Sequence, residues 1–599
     1  MCTAQITDLA NLPDPALIAW LLRPDHRPEQ AATDRVTALF RTWWAIEGVG
    51  EYPAWRDRRP LPDAMWWEPV AGTSYRGTFG LSRMLAYFLD KRPGLREWLD
   101  LSSEEGVLRA NAWLFTRGLV EHDLLARVTP ALQDVLNAPV PFLEVSSQEP
   151  GPSWLMFFLW MCDPLLQDTY DLREAEPRLR YRRWFLQEGA AAHSLSPLLD
   201  KADAGPDQTP RAIRARRGAK AAKRPPGFNL IGYVRGEFGI GEDVRMAVAA
   251  CEAAGIPHAL VNLDPGGSAS QGDTSLESRL ETSTSAALAP YASNVFCLTG
   301  FETARAYLEF GPQLFEHRHN IGWWPWELPV WPRHWDVAFG LMDEIWAASR
   351  YTQDMYIAAQ SACLPAAVRR PVTLMPMAVT IDRLQPVSRA ALGLPANHFL
   401  YLYIFDFNSY LARKNPFAAI SAFQRAFPHD ETVGLVFKTM NSQPADRRWR
   451  RFLGECRADP RIHLIDRTLA RGEVLGLVAA CDAYVSLHRA EGFGRTLAEA
   501  MLLGKPVIGT DFSGNRDFLD DTTGYPVRWR RRTVRNGEYP FITPEDRAWW
   551  AEPDRSDAAR QMRAAREAAL AGHLPDMGAI TRRFSPREVG IWLRKHLPR

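Results

Sequence analysis

Between Ser486 and Phe518 the chain reads SLHRAEGFGRTLAEAMLLGKPVIGTDFSGNRDF, and this stretch holds the residues best spaced to do chemistry. Two glutamates, Glu491 and Glu499, stand eight residues apart, separated by the loop Gly492, Phe493, Gly494 and the helical start Arg495, Thr496, Leu497. Glycines let a backbone approach a ligand closely, and a helix beginning near Arg495 aims unpaired N–H groups and a partial positive charge at the same point. That is a cradle for an anion such as a diphosphate, with no metal required. Carboxylates beside a phosphate are unfavourable unless they accept hydrogen bonds from hydroxyls, so Glu491 and Glu499 point to the ribose and sugar of a nucleotide sugar. Two glutamates at this spacing would otherwise read as an ordinary surface helix. The strand-like DAYVSLHR before them and GKPVIGT after them favour the cradle.

A diphosphate also needs a cation. Arg413, Lys414, Asn415 and Pro416 follow a strand-like run and open the helical NPFAAISAFQRAF, which makes Lys414 the first candidate and Arg413 the second. Lys438, at the end of 433–437, reads equally as an exposed residue. His488 reads as a strand-end residue shaping the pocket rather than as a general base.

The elements that must position these residues alternate strand and helix. FNLIGYV (228–234), HALVNLD (258–264), NVFCLTG (294–300), EIWAAS (344–349) and VTLMPMAV (372–379) form one series. FLYLYIFDF (399–407), VGLVFKTMN (433–441), RIHLIDRT (461–468), DAYVSLHR (482–489) and KPVIGTDF (505–512) form a second. Each series predicts a parallel sheet covered on both faces, and two in tandem leave a cleft where the carboxyl ends of both sheets face a ligand. The fold class is therefore α/β, two Rossmann-like domains facing each other after an all-α N-terminal domain. The expected divisions are helical repeats over 1–200, a linker over 201–226, Rossmann-like domains over 227–385 and 386–535, and C-terminal helices over 536–599. Those helices include 548–570 and 586–597 and are expected to cross back to the first domain.

With 599 residues, 46% hydrophobic and 24% charged, the chain is globular and too long for one core. Its 71 Lys and Arg against 70 Asp and Glu give a net charge of +1, no field that would recruit nucleic acid. Seven cysteines without a CxxC pair suggest neither zinc nor a disulfide framework. A reducing cytosol is expected, with no export signal and no membrane span. In the first 200 residues a Trp-x4-Gly pattern recurs about every 70 residues, at Trp43–Gly48, Trp113–Gly118 and Trp184–Gly189. Pro24, Pro93 and Pro164 each stand about 25 residues before the glycine. This predicts units of two or three helices, each ended by a left-handed glycine, with the tryptophans as packing anchors or as a concave binding surface. The acid-free stretch holding Arg211, Arg214, Arg216, Arg217, Lys220, Lys223 and Arg224 reads as an exposed linker, or as a peripheral contact of 211–224 with anionic membrane on the inner face of the cell membrane.

The Glu491 to Glu499 block, the Lys414 element and the strand–helix order resemble the retaining glycosyltransferases of family 4, with the two-domain GT-B architecture, over about 227–560. GYVRGEFGIGEDVRM (232–246), GWWPWELPVWP (322–332) and DEIWAAS (343–349) resemble bacterial members. The resemblance implies a metal-independent hexosyltransferase using a nucleotide diphosphate sugar, UDP- or GDP-linked, as substrate and no cofactor. Glu491 would contact the donor sugar as a transition-state binder, and Glu499 would hold the ribose. Lys414 and the amides around Gly494 to Leu497 would hold the diphosphate, with Gly492, Phe493, Arg495 and Thr496 beside them. Where members often carry an arginine five residues before the lysine, this chain has Ser409, so Arg413 or Arg495 is expected to supply that charge. Gly239, Gly241, Trp326 and Glu327 are expected to line the cleft on the acceptor side. The family's N-terminal histidine has only His317 and His319 as candidates. The acceptor implied is a glycan, lipid-linked or protein acceptor in cell-surface polysaccharide or lipopolysaccharide synthesis. Two rivals stand beside this: a scaffold protein binding a partner through the helical repeats, with a non-catalytic sugar-nucleotide-binding half, and an oxidoreductase reading of Gly236 to Gly241, which lacks a ribose-binding acid other than Asp264.

Overall fold

A computed structural model describes residues 79–143, 151–199, 224–266, 270–280, 289–574, 576 and 578–597, with isolated positions between 18 and 67. The basic stretch 211–223 and Pro24 lie outside the described residues. The described chain falls into two compact units, one within 15–220 and one within 221–599. No described helix is long and apolar enough to cross a membrane.

The first unit is helical and repeats with an offset of 71. Helix Arg83–Lys91 after its N-cap Ser82 matches Trp154–Cys162 after Ser153, and Pro93–Trp98 matches Pro164–Thr169. Glu104–Trp113 likewise matches Ala175–Trp184. Both prolines occupy first helical positions, where the missing N–H costs nothing.

The glycines do not end their helices. Leu114–Gly118 and Phe185–Gly189 are π-helical turns with right-handed glycines at φ −57° and −60°, and the helices continue as Leu119–Glu121 and Ala190–Ala192. Trp44–Gly48 is a third such turn. The turn lays each tryptophan on the glycine five residues on: a Cβ added to Gly48, Gly118 or Gly189 would meet the indole of Trp43, Trp113 or Trp184 at 3.1, 3.0 or 2.8 Å. The left-handed residues come five positions later, at Asp123 (φ 54°) and Ser194 (φ 60°). The packing role of these tryptophans is thus visible in the glycine each one covers.

The second unit holds two parallel sheets. Strands β1 (Phe228–Gly232), β2 (His258–Asn262), β3 (Ser293–Cys297), β4 (His319–Trp323), β5 (Glu344–Ala347) and β6 (Val372–Leu374) form the first, in the order β2-β1-β3-β4-β5-β6. Strands β7 (Phe399–Asp406), β8 (Val433–Met440), β9 (Ile462–Asp466), β10 (Ala483–Ser486), β11 (Val507–Thr510) and β12 (Tyr525–Val527) form the second, in the order β12-β11-β10-β7-β8-β9. Strands such as β1 and β3 are buried at every residue, as apolar runs without alternation require. These are two facing Rossmann-like halves, the GT-B arrangement. β12, three residues long, lies outside the expected strand runs, and β4, which leads into Trp323, opens on the polar pair His319 and Asn320.

The C-terminal part departs from the helical reading. Trp549–Pro553, expected to begin a helix, is strand β14, paired antiparallel with β13 (Trp529–Thr533). Helix Arg555–Leu570 stays on the second half, where the Tyr401 hydroxyl donates to Met562 O at 2.8 Å and Arg566 pairs with Asp430 at 2.7 Å. Of the two runs read as helices, Pro586–Lys595 is the one that lies against the first half. There Gly590 faces helix Gly239–Ala253 so closely that a Cβ would meet the Ala254 Cβ at 2.8 Å.

Candidate active site

In the second sheet β7 and β10 are neighbours, but β8 and β9 extend from one side and β11 and β12 from the other. Connections leave this pair in opposite directions, so a crevice opens beyond its carboxyl ends. The cleft there has a volume of about 620 Å³ and is lined by both halves. Backbone strain gathers around it: Tyr410, Asn415, Asn441, Ser513 and Phe541 all have φ between 51° and 74°, five of the nine such non-glycine residues among the described ones. Strain of this kind persists only where the surroundings over-determine it, and it clusters at functional sites.

Four charges converge at the switch point. After β7 the chain turns through Phe407–Ser409 into the short helix Leu411–Lys414. From it the Lys414 Nζ reaches Glu491 Oε1 at 2.5 Å, and Arg413 Nη1 reaches Glu491 Oε2 at 3.1 Å. Arg413 also stands 3.4 Å from Glu327 of the first half, whose other oxygen accepts the Tyr539 hydroxyl at 2.6 Å. Two cations face two carboxylates. Burial alone would raise the Glu491 carboxyl, but Lys414 and Arg413 outweigh it and hold the group at about 2. Burial pulls the Lys414 ammonium below the ordinary lysine value, and Glu491 opposes that pull. For Arg413 the nearby carboxylates overcome the burial penalty, so it stays charged. Ser409 contributes its carbonyl, which accepts from Arg413 Nε at 3.2 Å.

The glycine loop following β10 closes the other side. Gly494, at φ 93°, occupies the N-cap of helix Arg495–Leu502, a conformation that favours glycine. Gly492 lies against the first half: a Cβ there would stand 2.6 Å from Trp326 O, and the Ser349 hydroxyl donates to Gly492 O at 2.7 Å. Helix geometry leaves the Arg495 and Thr496 amides without intrahelical acceptors, whereas the Leu497 amide already donates to Gly494 O at 3.1 Å. The anion-facing set is therefore shorter by one than the sequence suggested. Leu497 itself is fully buried, while Gly492, Phe493, Gly494, Arg495 and Thr496 line the cleft.

His488 is structural. Its Nδ1 lies 2.9 Å from the Ser486 hydroxyl and its Nε2 3.0 Å from Asn515 Oδ1. The Asn515 amide nitrogen donates to Thr510 O, so Nε2 is the donor and Nδ1 the acceptor. Burial pushes this ring down to about 4, neutral at physiological pH.

Glu499 and Arg495 are placed differently from the sequence expectation. Glu499 is 1% exposed, outside the cleft lining, and is gripped by both terminal nitrogens of Arg471. Arg471 also approaches Glu242 of the first half at 3.4 Å. Arg495 does not face the diphosphate position as a free charge. It pairs with Asp243 of helix Gly239–Ala253 and donates to Ala378 O at 3.2 Å, tying the halves together.

Burial, opposed by Arg495, raises the Asp243 carboxyl from 3.8 to about 6. A folded value above the unfolded one means that the native state holds a proton the unfolded chain has lost. This contribution to stability is therefore complete below about pH 4 and disappears as pH rises through about 6. Relative to Asp243→Asn, the native protein should lose on the order of 2–3 kcal/mol of unfolding free energy between pH 4 and pH 7. Parallel urea titrations of both proteins check this, and a pH-independent difference would show that Asp243 does not titrate in that window.

On the first-half wall Gly239, Trp326 and Glu327 line the cleft, as do Trp323 and Trp324. Gly241 does not: it packs on the Gly236 carbonyl, where a Cβ could not fit. His319 stands at the amino end of β4, 3.5 Å from Glu344, the opposite end of the strand from the cleft. His317, two residues earlier, is likewise remote, and the cleft lining contains no histidine among the described residues. Lys438 is 3% exposed and outside the lining. Tyr539, Phe541, Trp335, Asp243 and Arg471 are site residues that the sequence did not single out.

Residues 388–527 match the family model described as glycosyl transferases group 1. No curated protein matches the chain. Among solved structures, Anabaena Alr3699/HepE in complex with UDP and glucose is similar at 14% identity and a TM-score of 0.43, covering 62% of this chain and 99% of that one. Sucrose-phosphate synthase from Thermosynechococcus elongatus is similar at 15% identity and a TM-score of 0.45, covering 62% and 98%. TarM of S. aureus is similar at 11% identity and a TM-score of 0.35, covering 50% and 54%.

Proposed function

We propose that the chain is a retaining glycosyltransferase of family 4 that moves a hexose from a nucleotide diphosphate sugar, UDP- or GDP-linked, to a hydroxyl acceptor. The observation that carries this reading is the convergence of Arg413, Lys414, Glu491 and the Arg495–Leu502 N-terminus at the β7/β10 switch point, within the segment that matches the glycosyltransferase family. As the anomeric C–O bond breaks, negative charge grows on the departing diphosphate. Lys414, Arg413 and the Arg495 and Thr496 amides are donors already in position to receive it. When a diphosphate draws Lys414 and Arg413 away, Glu491 is freed to accept a sugar hydroxyl. It acts as a binder of the transition state, not as a nucleophile. Glu499 reaches a ribose hydroxyl only after Arg471 yields, which assigns donor binding a rearrangement at that ion pair. With positive charge supplied by side chains and amides, the reaction is expected to need no divalent ion. A cytoplasmic location, with a peripheral membrane contact through 211–224, belongs to the same reading.

A panel of UDP-, GDP- and ADP-sugars without acceptor tests it. Slow release of nucleoside diphosphate from one donor should survive chelation and fall at least tenfold in Glu499→Gln. If no nucleotide binds, the protein is better described as a scaffold.

A further inference from the structure

The first-half wall of the cleft carries four carboxylates, Glu237, Asp243, Glu302 and Glu327, and no Lys, Arg or His among its described lining residues. The basic lining residues, Arg413, Lys414 and Arg495, all come from the second half. The donor side is thus provided with cations, and the opposite wall is not.

At one corner of that wall three rings meet. Phe301 lies 5.6 Å from Trp335 and 5.4 Å from Phe541, and Trp335 lies 5.0 Å from Phe541. Phe541 arrives from the segment between β13 and β14, 41% exposed and at φ 64°, so a strained backbone holds an apolar ring at the rim. Trp335 is 3% exposed and its indole N–H has no hydrogen-bond partner, whereas the neighbouring Trp326 donates to Val330 O at 2.9 Å. Glu302 stands next to Phe301 in sequence and pairs with Arg305 at 2.6 Å. The Glu237 carboxylate accepts the Ser270 hydroxyl.

The apolar C–H face of a pyranose suits such rings, and its hydroxyls suit carboxylate acceptors. Asp243, Glu302 and Glu327 already pair with Arg495, Arg305 and Arg413, whereas Glu237 has no cationic partner among the described residues, so a phosphate brought to this wall would meet an uncompensated carboxylate and no free cation. We propose that this corner is the acceptor subsite and that it takes an uncharged saccharide rather than a phosphorylated sugar or a lipid diphosphate. The inference rests on the glycosyl-transfer reading of the donor side.

The test titrates the full chain with neutral di- to tetrasaccharides and with the same sugars carrying a 6-phosphate, read by tryptophan fluorescence and calorimetry. At least one neutral sugar should bind, with its phosphorylated counterpart at least tenfold weaker. Phe541→Ala, at an exposed position, should weaken neutral binding at least fivefold without lowering the melting temperature. Glu237→Lys should narrow the neutral-to-phosphorylated ratio at least fivefold. Equal or tighter binding of the phosphorylated sugars or of a lipid diphosphate, unchanged binding in Phe541→Ala, or no saccharide binding at all overturns the inference. UDP and GDP titrated alone separate the two readings. Nucleotide binding without neutral-saccharide binding removes the corner and leaves the transferase, and the reverse pattern removes the transferase and leaves a saccharide site.

Discussion

Lys414→Ala should weaken nucleoside diphosphate binding by roughly a hundredfold to a thousandfold, a loss of about 3–4 kcal/mol, while binding of the bare nucleoside changes by less than about threefold. The size follows from charge balance. Lys414 and Arg413 oppose Glu491 and Glu327 within one buried cluster, with ion-pair separations of 2.5 to 3.4 Å. Without the lysine, Arg413 alone faces two carboxylates. The cluster becomes net negative where two phosphates must sit, in surroundings that screen charge poorly. A surface lysine would cost far less. Calorimetry with nucleoside and nucleoside diphosphate compares the two ligands directly, and equal losses for both would show that Lys414 does not face the phosphates.

Glu491→Gln should move two quantities in opposite directions. Transfer should fall by about a hundredfold or more, because a hydroxyl contact that strengthens as the sugar flattens is lost. Binding of the free nucleoside diphosphate should instead tighten by roughly tenfold, since both cations are released from the carboxylate that competes for them. The variant would therefore be slow and inhibited by its own product. A second signature is its pH dependence. Glu491 supports the charged form of Lys414 against burial, so without it the ammonium deprotonates more readily and diphosphate binding should weaken as pH rises. Turnover and product binding measured over pH 6 to 9 check both effects. A variant that loses turnover and diphosphate affinity together would contradict the competition between Glu491 and the phosphates.

The parts of this site legible in the sequence are those whose signal is local. A strand running into a glycine loop and a helix start marks Glu491 to Thr496 within a few residues, and Lys414 stands just beyond its own strand. What was not legible depends on pairing across long separations. Arg495 meets Asp243 from 252 residues away, Tyr539 meets Glu327 from 212, and Arg471 reaches Glu499 from 28. No spacing rule links such residues, so Glu499 and Arg495 looked free when each is already paired. The same holds for Phe541 and Trp335, which are unremarkable until the chain brings them together. In the fold the apolar strands are plain, while β12, only three residues with Pro526 at its centre, does not stand out. β14 resembles the start of a helix in the sequence because an alanine-rich helical run follows it directly. The Trp-x4-Gly pattern is legible but not its geometry: a glycine near a helix end suggests a left-handed cap, yet here the i→i+5 turn makes it a seat for the indole, and Asp123 and Ser194 take the left-handed role.

That seat also bears on how the array can change in length. Because Ser82 and Ser153, Pro93 and Pro164, Gly118 and Gly189, and Asp123 and Ser194 all stand 71 residues apart, excising or duplicating that 71-residue block would rejoin equivalent backbone positions, leaving the indole above its glycine. Half a block would not. Growth of this region is accordingly quantised, and a shorter or longer version of the protein should differ by complete modules while the two-sheet unit stays as it is.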